Sequence, residues 1–183
     1  MSVIDTGKSR GPAPMARQAN RPASRSPSFT TKDRPVLKNI PPLLTPDALH
    51  ALASMGHGDD VAIVDANFPA ARVARDGGAR LVLLPGAGSP ETLGAVLQLL
   101  PLDDFVPEAA WTMQVVGNAG AVPAPVAEFA QALRQAGQQP AASLERFAFY
   151  DRTRGAFLLL QTGETRKYGN ILLRKGVIAS DPD

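Results

Sequence analysis

The stretch "SMGHGDDVAIVDANFP", residues 54–69, decides how this chain is read. Its centre, Val61-Ala62-Ile63-Val64, is a short β-branched run of the kind that forms a buried strand. A glycine turn holding His57 precedes it, and Asp65 with Asn67 and Pro69 follows it. Upstream, Thr45 as N-cap, Pro46 at the first helical position and Asp47 in the first turn predict a helix to about Met55. Leu49, Leu52 and Ala53 form its expected apolar face, and Gly56 its stop.

Outward from there the same alternation recurs. "RLVLLPG" (80–86) reads as a second buried strand, and Ser89-Pro90-Glu91 opens a helix with Leu93, Val96, Leu97 and Leu100 on one side. "WTMQVVG" (111–117) predicts a third strand. "PVAEFAQALRQAG" (125–137) is an amphipathic helix, and "LERFAFYDRTRG" (144–155) reads as another, ended by Gly155. "AFLLLQTG" (156–163) and "NILLRKG" (170–176) complete the set as strands. Helices alternating with buried-type strands predict an α/β fold, a three-layer α/β/α domain with a mostly parallel or mixed central sheet. Residues 72–80, "RVARDGGAR", carry no motif, and there is no internal repeat.

The chain has 183 residues, 44% of them hydrophobic and 20% charged, enough for one domain with a real core. It has no cysteine, which excludes disulfides, thiolate metal sites and a cysteine nucleophile and suits a reducing, cytoplasmic setting. No apolar run approaches the roughly 20 residues that cross a bilayer. The pI near 9.2 suggests a nucleic-acid partner. The charge, however, is uneven: residues 1–35 carry seven Lys/Arg against two Asp, leaving 12 basic and 15 acidic residues in the remainder. The globular part is therefore mildly acidic and has no basic stripe for phosphates, which disfavours nucleic acid and membrane partners. Residues 1–35, rich in Ser, Arg and Pro, are expected to be a disordered basic extension, either a functional arm or a dispensable one. Residues 36–179 form the domain, and 180–183 a C-terminal tail.

Three polar groupings could carry chemistry. His57, between Gly56 and Gly58, is a candidate acid/base group or a surface histidine in a helix-ending turn. Asp65 closes the 61–64 strand, at the strand end where open α/β sheets bind ligands. Asp59 and Asp60 precede that strand, about 16 Å away at roughly 3.3 Å per residue, and read as solvated loop charges. By the same measure His57 and Asp65 meet within one subunit only if the glycine turn doubles back; otherwise a neighbouring subunit completes the site. Tyr168-Gly169-Asn170 is either a hydroxyl-binding turn or a plain β-turn. Arg146 and Arg154, two turns apart, are ligand groups or surface charges, and His50 is expected to face solvent.

The segments "LKNIPPLLTPDALHALASMGHGDDVAIVDANFP", "ERFAFYDRTRGAFLLLQTGE" and "KYGNILLRKGV", in this order, resemble the L-fucose mutarotase branch of the fucose mutarotase and ribose pyranase family. The resemblance runs from about Leu37 to Val177. Val36 stands where relatives begin with methionine, so residues 1–35 are expected to be an upstream extension. The Tyr-Gly-Asn motif is closer to the fucose branch than to the ribose branch, which more often has Tyr-Ala-Asn. The resemblance implies interconversion of the α and β anomers of a free monosaccharide, without cofactor or metal, in a homo-oligomer whose site lies near subunit contacts. It implies His57 as the proton donor to the ring oxygen, and Asp65, Arg146, Tyr168, Gly169 and Asn170 as sugar-binding positions. Tyr150 is a further candidate, and Asn67 stands where some relatives have histidine. D-ribose pyranase activity and a non-catalytic sugar-binding module are the alternatives.

Overall fold

Strand β1 (Asp60–Val64) is buried along its whole length and has the rest of the domain built around it. The computed structural model describes Met1 and residues 37–178. The extension expected over 1–35 and the tail over 180–183 lie outside the described residues, Met1 apart. From residue 37 onward the chain runs α1 (Pro46–Ser54), β1, α2 (Ala70–Gly77), β2 (Arg80–Leu84), α3 (Ser89–Leu97) and β3 (Ala110–Met113). It continues through α4 (Ala124–Gln135), β4 (Ala142–Leu144), α5 (Arg146–Arg154), β5 (Leu158–Thr162) and β6 (Ile171–Arg174).

The strands form one mixed sheet of six in the order β2-β5-β1-β6-β3-β4. β1 is parallel to β5 and antiparallel to β6, pairing Val61 with Leu158 and Asp60 with Arg174. β6 is also antiparallel to β3, while β2 and β4 run parallel to their neighbours. Only residues 163–170 join β5 to β6, yet β1 lies between those two strands. That connection must therefore arch over the C-terminal end of β1.

Side-chain alternation along the strands makes two core layers. Val61, Ile63, Leu158, Leu160, Ile171 and Leu173 pack against α1, α3 and α4 through Leu52, Leu93, Phe129 and Leu133. Ala62, Val64, Trp111, Leu159 and Leu172 pack on the other side against α2 and α5 through Val73 and Phe149. The result is the three-layer α/β/α domain expected from the alternation of elements. In α1, Thr45 accepts from the Ala48 N–H as foreseen, but the buried face is Ala48, Ala51 and Leu52, with Ala53 exposed.

Two elements lacked a readable signal. α2 begins after Pro69 with no side-chain cap and buries only Ala70, Val73 and Ala74, a stripe too weak to stand out in the sequence. It is held instead by contact with α5: a Cβ at Gly77 would stand 1.9 Å from the Arg154 carbonyl oxygen. β4 is a three-residue edge strand beside β3, so the helix read over 144–155 begins only at Arg146, with Glu145 accepting from the Phe147 and Ala148 N–H groups. The strand read over 111–117 ends at Met113.

Asp60 is not a solvated loop charge. It is buried at the first position of β1, where Arg152 Nε lies 3.0 Å and Arg174 Nε 3.1 Å from its carboxylate. The Arg152 guanidinium also stacks 3.3 Å over the Trp111 ring centroid. Asp59, half-buried, accepts from the Gly56 N–H at 2.7 Å and closes the turn before the strand. Removing one partner from a largely buried charge cluster leaves the others uncompensated. Asp60→Asn should therefore cost on the order of 3 kcal/mol in urea unfolding; a loss below about 1 kcal/mol would mean the cluster behaves as a surface pair.

Candidate functional site

The polar residues singled out in the sequence fall into two groups at opposite ends of β1. At the C-terminal end, the Asp65 N–H donates to Asn170 Oδ1 at 2.9 Å, and Asn170 Nδ2 donates back to Asp65 Oδ2 at 2.8 Å. The Asn67 N–H donates to Asp65 Oδ1 at 2.9 Å, turning the chain toward Phe68. Both Asp65 and Asn170 are buried. Burial raises the Asp65 carboxyl above the ordinary aspartate value of 3.8, outweighing its hydrogen bonds from Asn67, Asn170, Phe68 and Gly169.

The arch between β5 and β6 supplies the roof. Tyr168 has φ 64°, a left-handed conformation that a tyrosine rarely holds. Its hydroxyl accepts from the Val116 N–H at 3.2 Å, so the third strand's outgoing loop fixes the phenol. Gly169 is required for space: a Cβ there would lie 2.7 Å from Glu164 Cγ and 2.9 Å from Ser89 Oγ. Tyr150 stacks on Phe68 with centroids 4.9 Å apart, and both Tyr150 and Tyr168 pack on the α2/α5 core layer. Arg146, half-buried at the start of α5, lies 4.7 Å over the Phe147 ring and has no carboxylate partner among the described residues. Arg154, by contrast, is exposed and paired with Asp151.

At the other end, His57 stands in the glycine turn, whose Gly58 (φ 82°) donates its N–H to the Lys175 carbonyl at 2.9 Å. The imidazole is half exposed; its Nε2 is 3.3 Å from Asp103 Oδ1, and its edge meets Phe105 with centroids 5.5 Å apart. Burial works to raise the Asp103 carboxyl, but the Phe105 N–H and the His57 ring outweigh it and hold it below its ordinary value, with Arg174 adding to the effect. His50 is exposed, as expected, with Nδ1 2.6 Å from Arg80 Nη1.

The structure thus brings Asp65, Asn170, Tyr168 and Gly169 together and sets Tyr150 on the same core layer. It does not bring His57 to them. β6 runs antiparallel beside β1, with Asn170 before it at the Asp65 end and Lys175 after it at the His57 end. The glycine turn does not double back. Asp103 was not foreseen, because "LDDF" (102–105) has no spacing that marks either aspartate, and only the fold carries one of them to the imidazole. Nor does the sequence single out Glu164 and Arg166, which stand in the 163–170 connection with no spacing that marks them. Among the described residues no group of three or more His, Asp or Glu side chains could hold a metal ion, and no helix is long and apolar enough to cross a membrane.

A six-stranded mixed sheet in three layers, with a tyrosine-glycine-asparagine arch over one strand end, makes this a three-layer α/β protein, and comparison with known proteins gives its family. Residues 38–178 match the RbsD / FucU transport protein family, and the chain belongs to that family. It is 45% identical over 150 residues to the fucose mutarotase of Homo sapiens, spanning 80% of this chain and 97% of that protein. It is 44% identical over 147 residues to the fucose mutarotase of Bos taurus, spanning 79% and 95%. The crystal structure of the Streptococcus pneumoniae fucose mutarotase in complex with L-fucose superposes with a TM-score of 0.72 at 36% identity, covering 78% of this chain and all of that one.

The Asp65–Asn170 pair makes a measurable prediction. Carbon-13 NMR should show the Asp65 carboxyl titrating above 3.8. Because its folded-state value is raised, this group favours folding more as pH falls through that value and less above it. Asn170→Leu removes a donor to the charged form and should push the titration higher still; an unchanged or lower midpoint would contradict the assigned geometry.

Proposed function

We propose that the chain is an isomerase, a sugar mutarotase that interconverts the α and β anomers of free L-fucose by acid/base-assisted ring opening and closure. The observation that carries this reading is the His57–Asp103 pair: a solvent-accessible imidazole oriented by a buried carboxylate, in a chain that shares the family's full-length sequence and fold. Mutarotation needs a proton delivered to the ring oxygen while the anomeric hydroxyl loses one. The ring then opens to the aldehyde, the C1–C2 bond rotates, and closure yields the other anomer. The ring oxygen gains its proton as its bond to C1 breaks, the proton of the anomeric hydroxyl passes to water, and closure reverses both. No electrons are exchanged, so the reaction calls for no redox cofactor.

In this reading His57 gives the ring-oxygen proton and Asp103 holds the imidazole by its Nε2. Asp65 and Asn170 bind sugar hydroxyls with the donor and acceptor capacity that their mutual bonds leave over. Arg146, which has no carboxylate partner among the described residues, and the Tyr168 hydroxyl steady the oxygen that gains negative character. Tyr150 offers a phenol beside the apolar Phe68. Positioned acid/base groups are typically worth 10²–10⁴-fold, enough to speed a reaction that already proceeds slowly in water.

His57 and the Asp65–Asn170 cluster lie at opposite ends of β1, so the working site forms between two copies, one giving the imidazole and the other the sugar-binding groups. Phe105 beside His57, and Val116 and Phe147 at the other end, are exposed apolar side chains of the kind a subunit contact covers. The chain is accordingly a homo-oligomer that binds a small monosaccharide; its lack of cysteine suits the cytoplasm.

Saturation-transfer NMR on L-fucose tests the reading. The wild-type protein should exchange anomers faster than buffer, and His57→Ala should abolish the acceleration while the fold persists. Asp103→Asn should lower the rate by about 10²-fold, the lower end of what a positioned acid contributes. A wild-type rate equal to buffer would end the proposal. Two inactive variants, His57→Ala and Asn170→Ala, reassembled in equal amounts should regain about one quarter of the wild-type rate, because random head-to-tail pairing rebuilds that share of intact sites. No recovery in verified mixed assemblies would refute a shared site.

A further inference from the structure

We propose that Arg166, bridging Glu164 and Glu128, is a positioning residue that seats the Tyr168-Gly169-Asn170 turn for substrate, acting through the packing of Glu164 against Gly169. The inference rests on the mutarotase reading for its kinetic consequences and on geometry for its structural ones.

Two features of the arch over β1 constrain its backbone. Gly163 passes so close to the Pro85 carbonyl oxygen that a Cβ would lie 2.1 Å from it. Tyr168 holds its left-handed backbone. A bulky residue stays in such a region only where its surroundings over-determine it. Some of that determination comes from backbone bonds, with the Ala66 N–H on the Glu164 carbonyl at 2.8 Å and the Gly163 N–H on the Ala87 carbonyl at 2.9 Å. The Val116 N–H on the Tyr168 hydroxyl adds to it, and a further share comes from one guanidinium.

The Glu164 side chain is buried beneath the arch, and its Cγ lies 2.7 Å from the point where a Gly169 Cβ would stand. Ser89 Oγ, buried and without a hydrogen-bond partner among the described residues, lies 2.9 Å from the same point. Gly169 is thus crowded by a carboxylate stem and a helix-terminal hydroxyl. What keeps the Glu164 carboxylate there is Arg166: Nε donates to Oε1 at 2.9 Å, Nη2 donates to Oε2 at 2.8 Å, and the Arg166 N–H donates to Oε1 at 2.9 Å. The same guanidinium is held in turn by Glu128 on α4, through Nη1 to Oε1 and Nη2 to Oε2, the latter at 3.0 Å. Arg166 accordingly holds both carboxyls below their ordinary values. A planar fork with donors on two edges can tie a loop to a helix in this way, and neither lysine nor glutamine reproduces it.

Without Arg166, the buried Glu164 carboxylate loses its charged partner and turns toward water. The support under Gly169 leaves with it, Tyr168 relaxes out of its left-handed conformation, and the donors of the turn lose their set positions. No sugar-contacting role is assigned to Arg166, Glu164 or Glu128, so the effect should reach the reaction only through the turn, in substrate binding and in the charge that the Tyr168 hydroxyl steadies.

The test is a double-mutant cycle on the full chain with Arg166→Gln and Gly169→Ala, read as KM and kcat for L-fucose anomer exchange and as amide hydrogen exchange over residues 163–170. Arg166→Gln should lower kcat/KM on the order of tenfold, equivalent to about 1.4 kcal/mol, with both the raised KM of lost sugar contacts and the lowered kcat of a displaced Tyr168 hydroxyl. Gly169→Ala should do the same, and the double variant should be no worse than Gly169→Ala alone, because both act on one seat. Amides of the arch should exchange faster in Arg166→Gln while those of β1 and β5 stay protected. An unchanged kcat/KM, or single effects that multiply in the double variant, would overturn the inference. If the wild-type protein does not accelerate fucose exchange at all, the mutarotase reading fails, and amide protection alone decides: an arch equally protected in Arg166→Gln disproves the clamp.

Discussion

The reciprocal hydrogen bonds between Asp65 and Asn170 tie the end of β1 to the beginning of β6, and most of what is distinctive in this domain depends on them. β6 enters the sheet antiparallel, between β1 and β3, immediately after a connection that has crossed over β1. Such a crossing leaves the backbone donor at the strand end and a carboxylate beneath it without partners in the sheet ladder. Asn170 satisfies both with a single carboxamide, which offers one acceptor and two donors in a plane. An aspartate or leucine there would leave one of the buried groups unmatched, at a cost larger than the bond itself contributes. The polar floor beneath the arch is therefore a consequence of topology before it is a binding surface.

The same topology separates the acid/base group from that floor. A strand has two ends, and this one holds an imidazole with its aspartate at the first and the carboxylate–carboxamide pair at the second. The charged clusters follow a common logic: Asp60, Asp103 and Glu164 are all buried carboxylates, and each is met by a cation or imidazole brought from a distant part of the chain or by a neighbour in the same loop. Buried charges persist only when paired and hydrogen-bonded, so each of these carboxylates also orders the segment that supplies its partner.

Much of the fold was legible because its signals are local. A β-branched run, a threonine–proline helix start and an amphipathic repeat each report on their own few residues, so α1, β1, β2, α3, α4 and the closing strands stand close to where they were expected. α2 and β4 were not readable for the opposite reason. α2 has a narrow alanine–valine stripe and is stabilised by a close approach to α5. β4 is too short for a periodic pattern and exists because β3 offers it an edge. Asp60 was misjudged because two adjacent aspartates beside a glycine turn look solvated until Arg152 and Arg174 arrive from residues about 90 and 110 positions away.

The sequence by itself determined that the chain is a cysteine-free α/β protein whose net positive charge lies in residues 1–35. It also marked His57, Asp65, Arg146 and the tyrosine-glycine-asparagine turn as its polar landmarks, since residue type, glycine flanks and strand ends are local properties. Only the tertiary structure decided that Asp103 serves His57, that Asp65 bonds to Asn170, that Tyr168 is held left-handed, and that His57 stands at the far end of β1 from the arch. Each of those is a contact between residues remote in sequence or a strain sustained by such contacts, and no local pattern encodes which distant group a folded sheet will bring within 3 Å.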